Sequence, residues 1–313
     1  MKTRLFLFLL LSFILVSCRD SKLSPIGPSN TGTFSPSDNG AIQDAISKWS
    51  PYVVVHPTGE AIDAYRDSLS LMMRAGKLQG VRIGIIKGWG LNDSTIRMVS
   101  SLGIEMLGII DNYYLFDSNI EQDIDQIFAA YPEIHYFQIG NEITTILPKN
   151  GPTMNIEAYM AVFKRIYAHV QKNYPDKMLV AESTFGAGTY GAEELETMAS
   201  LGLTGMSPNK VIIGLNCYTI AAANAYTGVI NGPLRQYRVW VTEHGNTDPN
   251  LHISAVQNEY PQYRNYLRAE RIYWYAMWTG DTGNDTGYGL IRNPSNYPNY
   301  WESPLLIALL GKK

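Results

Sequence analysis

Short apolar segments alternate with longer amphipathic segments along most of the chain. The amphipathic segments repeat apolar residues at the spacing of an α-helix, as Ile120, Ile124 and Ile127 show. The short segments are apolar at successive positions, which is typical of parallel strands covered by helices. Eight of them predict strands, at residues 52–56, 80–87, 104–111, 135–142, 178–185, 210–218, 238–244 and 271–279.

Each predicted strand is followed by a predicted helix. These helices cover residues 60–77, 93–102, 118–131, 156–173, 192–201, 221–236, 254–268 and 304–310. Eight strand–helix repeats favour a closed barrel over an open sheet. Residues 41–313 are long enough for one such barrel, which takes roughly 250 residues. We therefore predict an α/β fold, a single (β/α)8 TIM barrel, over residues 41–313.

Polar and aromatic residues gather at the carboxyl ends of the predicted strands. They are His56, Lys87, Trp89, Asp111, Tyr113, Tyr114, Asn141, Glu142, Glu182, Asn216, Tyr218, Glu243, His244 and Trp278. In TIM barrels the catalytic residues lie at this end of the strands. The connections at residues 144–153 and 279–303 are long, and we expect them to wall a cleft at the same end.

Two carboxylates stand out among these residues. Glu142 ends strand four after an apolar run, and Glu243 ends strand seven in the same way. Strands four and seven lie across an eight-strand ring from each other, so the two side chains can face one another. Glycoside hydrolysis needs such a pair, because one carboxyl protonates the leaving oxygen while the other attacks the anomeric carbon or activates water. The alternative is that each glutamate pairs with a cation at the barrel mouth.

Asn141-Glu142 on strand four together with Glu243 on strand seven resembles the signature of the clan A retaining glycoside hydrolases, over roughly residues 50–312. The resemblance implies that Glu142 is the general acid/base, that Asn141 binds the sugar 2-hydroxyl, and that Glu243 is the nucleophile. The run from Gln138 to Ile143 is similar to the endo-galactanases of that clan. Strand one and the surroundings of Glu243 depart from that family, so the resemblance stops at the clan.

The same resemblance implies roles for three more residues. Arg82 on strand two matches the arginine near the nucleophile, and Tyr218 on strand six matches the tyrosine that hydrogen-bonds it. Trp278, on predicted strand eight, matches the aromatic floor beneath the attacked sugar. Each also has a plainer interpretation: charge neutralisation for Arg82, packing for Tyr218, and core filling for Trp278.

Other strand-end residues are less specific. Asn216 and His56 are candidates for substrate binding, or for hydrogen bonds that only hold loops. Trp89, Tyr113 and Tyr114 are candidate sugar platforms or loop anchors. Glu182 is a third carboxylate near the end of strand five, but the predicted strand continues past it through residues 183–185, so a deeper position is the alternative. Residues 281–285 resemble a calcium loop loosely and lack its alternating ligands.

The amino terminus has the pattern of a bacterial lipoprotein signal. Lys2 and Arg4 precede an apolar run too short to span a membrane, and Leu-Val-Ser-Cys at residues 15–18 resembles a lipobox. We predict a signal peptide over 1–17, lipidation of Cys18 and a flexible tether over 18–40, rich in Ser, Pro and Gly. The barrel would then be anchored in the bacterial cell envelope, facing the periplasm or the outside. The alternative is an ordinary signal peptide in which Cys18 has no role.

Composition narrows the partners further. The net charge is −3 without a basic run, which argues against nucleic-acid binding. The spacing of Cys and His fits no zinc site, so we expect no metal and no cofactor. The 21 Tyr and 6 Trp suit a polysaccharide or oligosaccharide partner, and we expect a monomer. The hypothesis is a retaining glycoside hydrolase acting on a β-linked glycan; the alternative is a non-catalytic glycan-binding lipoprotein on a hydrolase-like barrel.

Overall fold

A computed structural model describes residues 38–56, 62–144, 152–183, 189–280, 285–293 and 300–312. Eight parallel strands close into a barrel in chain order. They are β1 (Tyr52–Val55), β2 (Gly80–Ile85), β3 (Glu105–Ile110), β4 (Tyr136–Ile139), β5 (Met178–Ser183), β6 (Val211–Asn216), β7 (Arg238–His244) and β8 (Ala269–Trp274). The predicted TIM barrel is confirmed.

The helices alternate with these strands. They are α1 (Asp38–Lys48), α2 (Ile62–Arg74), α3 (Ser94–Ser101), α4 (Ile120–Ala130), α5 (Ile156–Asn173), α6 (Thr189–Ser200), α7 (Ile220–Asn231), α8 (His252–Leu267) and α9 (Pro304–Leu310). The predicted apolar stripe of α4 is buried, including Ile120, Ile124 and Ile127. Helix α3 begins within one residue of its predicted start. Asp93 caps it by accepting hydrogen bonds from the backbone amides of Thr95 and Ile96.

The barrel interior is filled by its own apolar cluster, which is Val54, Leu107, Val180, Ile212, Trp240, Tyr273 and Ala276. Near the amino ends of the strands, the Arg271 guanidinium lies 4.0 Å from the centre of the Trp240 ring. It also pairs with Glu105. This packing closes the lower part of the barrel, so an open site is left at the carboxyl ends of the strands.

The end of strand eight differs from the prediction. β8 stops at Trp274, and Trp278 instead begins β9 (Trp278–Thr279). β9 belongs to a separate three-stranded sheet with β10 (Ile291–Arg292) and β11 (Trp301–Glu302). Residues 276–278 are buried although they lie beyond the end of β8. Their apolar character therefore could not show where the barrel strand ends.

The amino-terminal predictions concern residues that are mostly outside the described part of the chain. These are the signal peptide, Cys18 and the tether up to residue 37. α1 begins at Asp38, so the predicted boundary at residue 40 falls inside a helix. Residues 281–284 of the loosely calcium-like loop, and most of the 144–153 connection, are likewise outside the described residues. Across the described ranges, no helix is both long and apolar enough to cross a membrane.

Candidate active site

The chain turns sharply where β4 ends, and this turn carries Asn141 and Glu142. Gly140 has φ of 75° and Glu142 has φ of 47°, both in the left-handed region. A Cβ on Gly140 would lie 2.9 Å from Leu115 Cδ1, so the Leu115 side chain would have to shift, and the left-handed φ would strain any residue larger than glycine. The Asn141 amide donates to Asn112 Oδ1 (2.7 Å), and Asn112 Nδ2 donates back to the Asn141 carbonyl (2.9 Å). The turn is therefore held in a strained shape, which is common at functional sites.

Arg82, on β2, is the centre of the polar network and is almost completely buried. Its Nη1 donates to Glu243 Oε1 (2.5 Å), its Nη2 to Asn141 Oδ1 (2.7 Å), and its Nε to Gln138 Oε1 (2.7 Å). Burial alone would lower the pKa of Arg82, but the nearby carboxylates, first of all Glu243, outweigh it and raise that pKa. Arg82 is thus a permanent cation that joins strands two, four and seven.

Glu243 accepts a second hydrogen bond on its other oxygen. The Tyr218 hydroxyl donates to Glu243 Oε2 at 2.5 Å. Burial, and then the negative charge of Glu243, raise the pKa of Tyr218 well above its usual value. Tyr218 therefore stays protonated and remains a donor. Both oxygens of Glu243 are bonded, which is how an ionised carboxylate is stabilised in a buried site.

Glu142 is oriented by the amide of Asn216, the last residue of β6. Asn216 Nδ2 donates to Glu142 Oε1 (3.1 Å) and lies 3.3 Å from Asn141 Oδ1. The Thr242 hydroxyl donates to Asn216 Oδ1 (2.9 Å), which fixes the direction of the amide. A bulge in the pairing of β6 with β7 sets Asn216 opposite Glu243 and leaves Thr242 as the extra residue. Bulges of this kind commonly re-aim side chains at active sites.

Glu182 lies on β5 below this network and is completely buried. Among the described residues, neither of its carboxyl oxygens has a well-aligned hydrogen-bond partner, and a weak interaction with the Thr242 side chain is the smallest influence on its pKa. Burial raises the pKa of Glu182 well above its usual value; the Arg82 charge opposes this, while the charges of Glu243 and Glu142 add to it. The Glu182 carboxyl therefore keeps its proton to a higher pH than an exposed glutamate does. It lies beneath the catalytic candidates, so the deeper of its two predicted positions is the one observed.

His56 and Trp278 lie beside the network and line one pocket with Tyr275, Thr279 and Asp285. One face of the Trp278 ring is stacked on Tyr65 of α2, with 3.8 Å between ring centres, and the side chain is buried. Trp278 is thus off the barrel strand on which it was predicted. Although part of His56 is exposed, desolvation lowers its pKa and the Glu243 charge only partly opposes this.

Tyr275 directly follows β8 and lies beside the polar network, although the sequence analysis did not single it out. Its ring meets that of His56 edge-on, with 5.4 Å between centres, and that of Tyr218 at 6.3 Å. Burial raises the pKa of Tyr275, with a further contribution from the charge of Glu243. Two aromatic residues after strand eight therefore contact Tyr218, namely Tyr275 and Tyr288, whose ring centre lies 5.5 Å from that of Tyr218.

The aromatic residues after β2 and β3 lie outside the inner network. Trp89 and Tyr113 are exposed by 60% and 54%. Tyr114, by contrast, is buried, with the Lys87 ammonium 5.4 Å from its ring centre. Tyr114 therefore anchors its loop, while Trp89 and Tyr113 present their rings to solvent.

Sequence reasoning missed four residues that shape the site: Gln138, Thr242, Asn112 and Tyr275. Gln138 holds Arg82 in place, with its own Nε2 donating to the Gly140 carbonyl at 2.8 Å. A glutamine inside an otherwise apolar strand was a usable signal, because a buried amide needs partners. Thr242 gave no such signal, since its role depends on a bulge that the sequence does not mark.

The chain matches no protein-family profile and no curated protein sequence. Its fold does match solved structures. A GH39 enzyme from Xanthomonas axonopodis pv. citri superposes with a TM-score of 0.61 at 12% identity, over 84% of this chain and 66% of that one. An endo-1,4-β-mannanase from Rhizomucor miehei gives 0.59 at 11% identity, over 84% and 92%. A mannohexaose complex of a β-mannanase from Thermomonospora fusca gives 0.51 at 12% identity, over 79% and 84%.

These similar structures are glycoside hydrolases built on an eight-strand barrel. At identities of 11% and 12% the likeness concerns the fold. This chain spans just under two thirds of the GH39 enzyme, and most of the length of the Rhizomucor mannanase. Any activity must therefore be argued from the residues of the site itself.

Proposed function

We propose that this protein is a glycoside hydrolase that cleaves a β-linked glycan by double displacement with retention. In this proposal Glu142 is the general acid/base and Glu243 is the nucleophile. The observation that carries it is the different bonding of the two carboxylates. Glu243 is bonded to the Arg82 cation and to a tyrosine hydroxyl, whereas Glu142 accepts from the neutral amide of Asn216.

In the first step, Glu142 gives its proton to the glycosidic oxygen as the bond to the anomeric carbon breaks. A Glu243 oxygen attacks that carbon and forms a glycosyl ester. In the second step, Glu142 takes a proton from water, and the water oxygen displaces Glu243 from the sugar. The proton taken from water replaces the one given to the leaving group, so Glu142 ends the cycle protonated as it began.

The amide of Asn141 supports this assignment. Its oxygen accepts from Arg82 Nη2 and lies near Asn216 Nδ2, so the amide NH2 group is directed away from both. That NH2 group is the donor we assign to a sugar hydroxyl beside the anomeric carbon. Tyr275, together with His56, would contact the attacked sugar. Trp278 would support this pocket from behind, because one face of its ring is covered by Tyr65.

The substrate proposal is a β-linked polysaccharide or oligosaccharide. It draws on the Rhizomucor endo-1,4-β-mannanase and on the mannohexaose complex, both of which share the fold. The direct test is sugar release by the purified protein from β-glucan, mannan, galactan and xylan. Glu142→Gln and Glu243→Gln should each abolish release, while Glu196→Gln, on the exposed side of α6, should not.

Release that survives both substitutions would refute the proposed pair. No release from any glycan, combined with calorimetric binding to one of them, would instead support the non-catalytic glycan-binding alternative. Both readings keep a carbohydrate in the cleft, so binding and release must be measured on the same preparation.

We also propose that the barrel is anchored to the cell envelope through a lipid on Cys18. The support is the sequence pattern at residues 15–18 and the Ser-, Pro- and Gly-rich segment after it. Labelling with radioactive palmitate in a bacterial host should mark the wild-type protein and leave Cys18→Ser unlabelled. Equal labelling of both would contradict the anchor.

A further inference from the structure

Exposed apolar side chains are concentrated at one end of the barrel. Among the described residues, the exposed large hydrophobic side chains are Trp89, Tyr113, Phe116, Tyr190, Leu251 and Trp301. All lie between the end of a barrel strand and the first turn of the helix that follows it. This is the end of the barrel that holds Glu142 and Glu243.

Three of these side chains lie on two neighbouring connections, after β2 and β3. Tyr113 and Phe116 belong to one short 3-10 helix, Asn112–Phe116, and are exposed by 54% and 50%. Residues three apart lie on the same side of a 3-10 helix, so both rings face outward together. Trp89, on the connection after β2, is exposed by 60%. We call Trp89, Tyr113 and Phe116 the aromatic surface.

The two connections are tied to each other. Lys87 pairs with Asp117, and its backbone amide donates to Asp111 Oδ2 at 3.1 Å. The opposite side of the 3-10 helix is buried through Leu115. These contacts hold the two connections in place. The protein would therefore lose little conformational entropy there when a ligand binds.

The 3-10 helix that carries Tyr113 and Phe116 is hydrogen-bonded to the turn at the candidate active site. Asn112 begins the same 3-10 helix and exchanges two hydrogen bonds with the backbone of Asn141, next to Glu142. A ligand chain leaving the cleft on the side of β3 would therefore meet Tyr113 first.

We propose that the aromatic surface binds sugar units of a β-linked glycan chain beyond the bond that is cleaved. The inference rests on the proposed function, since it takes the cleft to hold a glycan. A pyranose ring has apolar C–H faces and hydroxyls at its edge. Exposed rings fit the faces, and the polar groups of Lys87 and Asp117 beside them fit the hydroxyls. The protein would then act on chains in preference to disaccharides.

The test is calorimetric binding of four hexaoses, from the β-1,4-glucan, β-1,3-glucan, β-1,4-mannan and β-1,4-xylan series, and of the matching disaccharides. The variants are Trp89→Ala and the double variant Tyr113→Ala/Phe116→Ala. Each should weaken binding of the preferred hexaose by about five- to tenfold, about 1–1.4 kcal/mol. Trp89→Phe keeps an aromatic face and should recover most of the affinity. Leu251→Ala, an exposed apolar residue without a ring, is the matched control.

Failure of this inference can be told from failure of the proposed function. If no sugar is released but the variants still weaken hexaose binding, the hydrolase proposal fails and the aromatic surface stands. If the variants bind every hexaose as the wild type does, or if no hexaose binds at all, the surface proposal is overturned. It is also overturned if sedimentation shows that wild type self-associates through these rings and the variants do not.

Discussion

Replacing the buried carboxyl of Glu182 tests the electrostatics of the site without touching the two proposed catalytic groups. In the unfolded chain this carboxyl ionises near pH 4.5, whereas in the folded protein burial raises its pKa well above that value. Above pH 4.5 the folded state therefore holds a proton that the unfolded state has lost. The free energy of unfolding must then fall as pH rises, until the pH passes the folded pKa.

The size of this effect follows from proton linkage. When the folded state binds one proton more than the unfolded state, the free energy of unfolding falls by about 1.4 kcal/mol for each pH unit. Glu182→Gln keeps the shape and the neutral state but has no proton to lose. Relative to wild type it should therefore gain stability as pH rises above 4.5, by up to about 1.4 kcal/mol for each pH unit until the pH passes the folded pKa.

The assay is urea unfolding followed by tryptophan fluorescence at several pH values. Taking the difference between variant and wild type cancels the titration of histidines that both share. Glu196→Gln, an exposed carboxylate on α6, is the control and should give a difference that does not grow with pH. A Glu182→Gln difference equally flat with pH would refute the conclusion that burial raises the pKa of Glu182.

Three further predictions follow from single contacts. Tyr218→Phe removes the hydroxyl that donates to Glu243, and a hydrogen bond to a charged group contributes about 1.5–3 kcal/mol. The kcat/KM on the substrate identified by the panel should therefore fall roughly 10- to 100-fold. An unchanged kcat/KM would show that this hydrogen bond does not contribute to catalysis. Gly140→Ala places a methyl group against Leu115 in a left-handed backbone, and calorimetry should show a clearly lower Tm than wild type, while an equal Tm would contradict this geometry. Burial lowers the pKa of His244 and of His252 to about 4. The contribution of these two neutral histidines to the free energy of unfolding is therefore fully present above pH 6.5, and it is lost as pH falls towards 4. Their NMR ring signals should not shift between pH 5.5 and 8, and a titration near 6.5 would contradict the burial.

The barrel could be predicted because its strands are buried on both faces and its helices keep a regular apolar stripe. β6 is buried at every position from Val211 to Asn216, so its apolar run appears directly in the sequence. β8 was predicted too long for the same reason. Residues 276–278 stay buried after the chain leaves the barrel, and apolar character does not tell one sheet from another.

The polar network was predictable only in part. Asn141, Asn216, Tyr218 and Glu243 could be nominated because polar groups at strand ends in a barrel converge on one face. Arg82, inside β2, was nominated only through the resemblance to the clan A retaining glycoside hydrolases. The resemblance placed Arg82 and Tyr218 beside Glu243, but the remaining hydrogen-bond partners could not be assigned, since they depend on strand register. The orientation of the Asn216 amide, for example, depends on a bulge that adds one residue to β7. Likewise, Tyr275 became visible only once the structure showed where β8 ends.

The central claim is that Glu243 becomes covalently bound to the sugar and that Glu142 helps to release it. Glu142→Ala should be mixed with a 2,4-dinitrophenyl β-glycoside of the sugar identified by the panel. This leaving group needs no proton, so the ester should form quickly and then persist for lack of a base. Mass spectrometry should then find one glycosyl unit on the peptide that contains Glu243, and none in the Glu142→Ala/Glu243→Gln double variant. A sugar attached to another residue, or steady turnover without any adduct, would contradict the account.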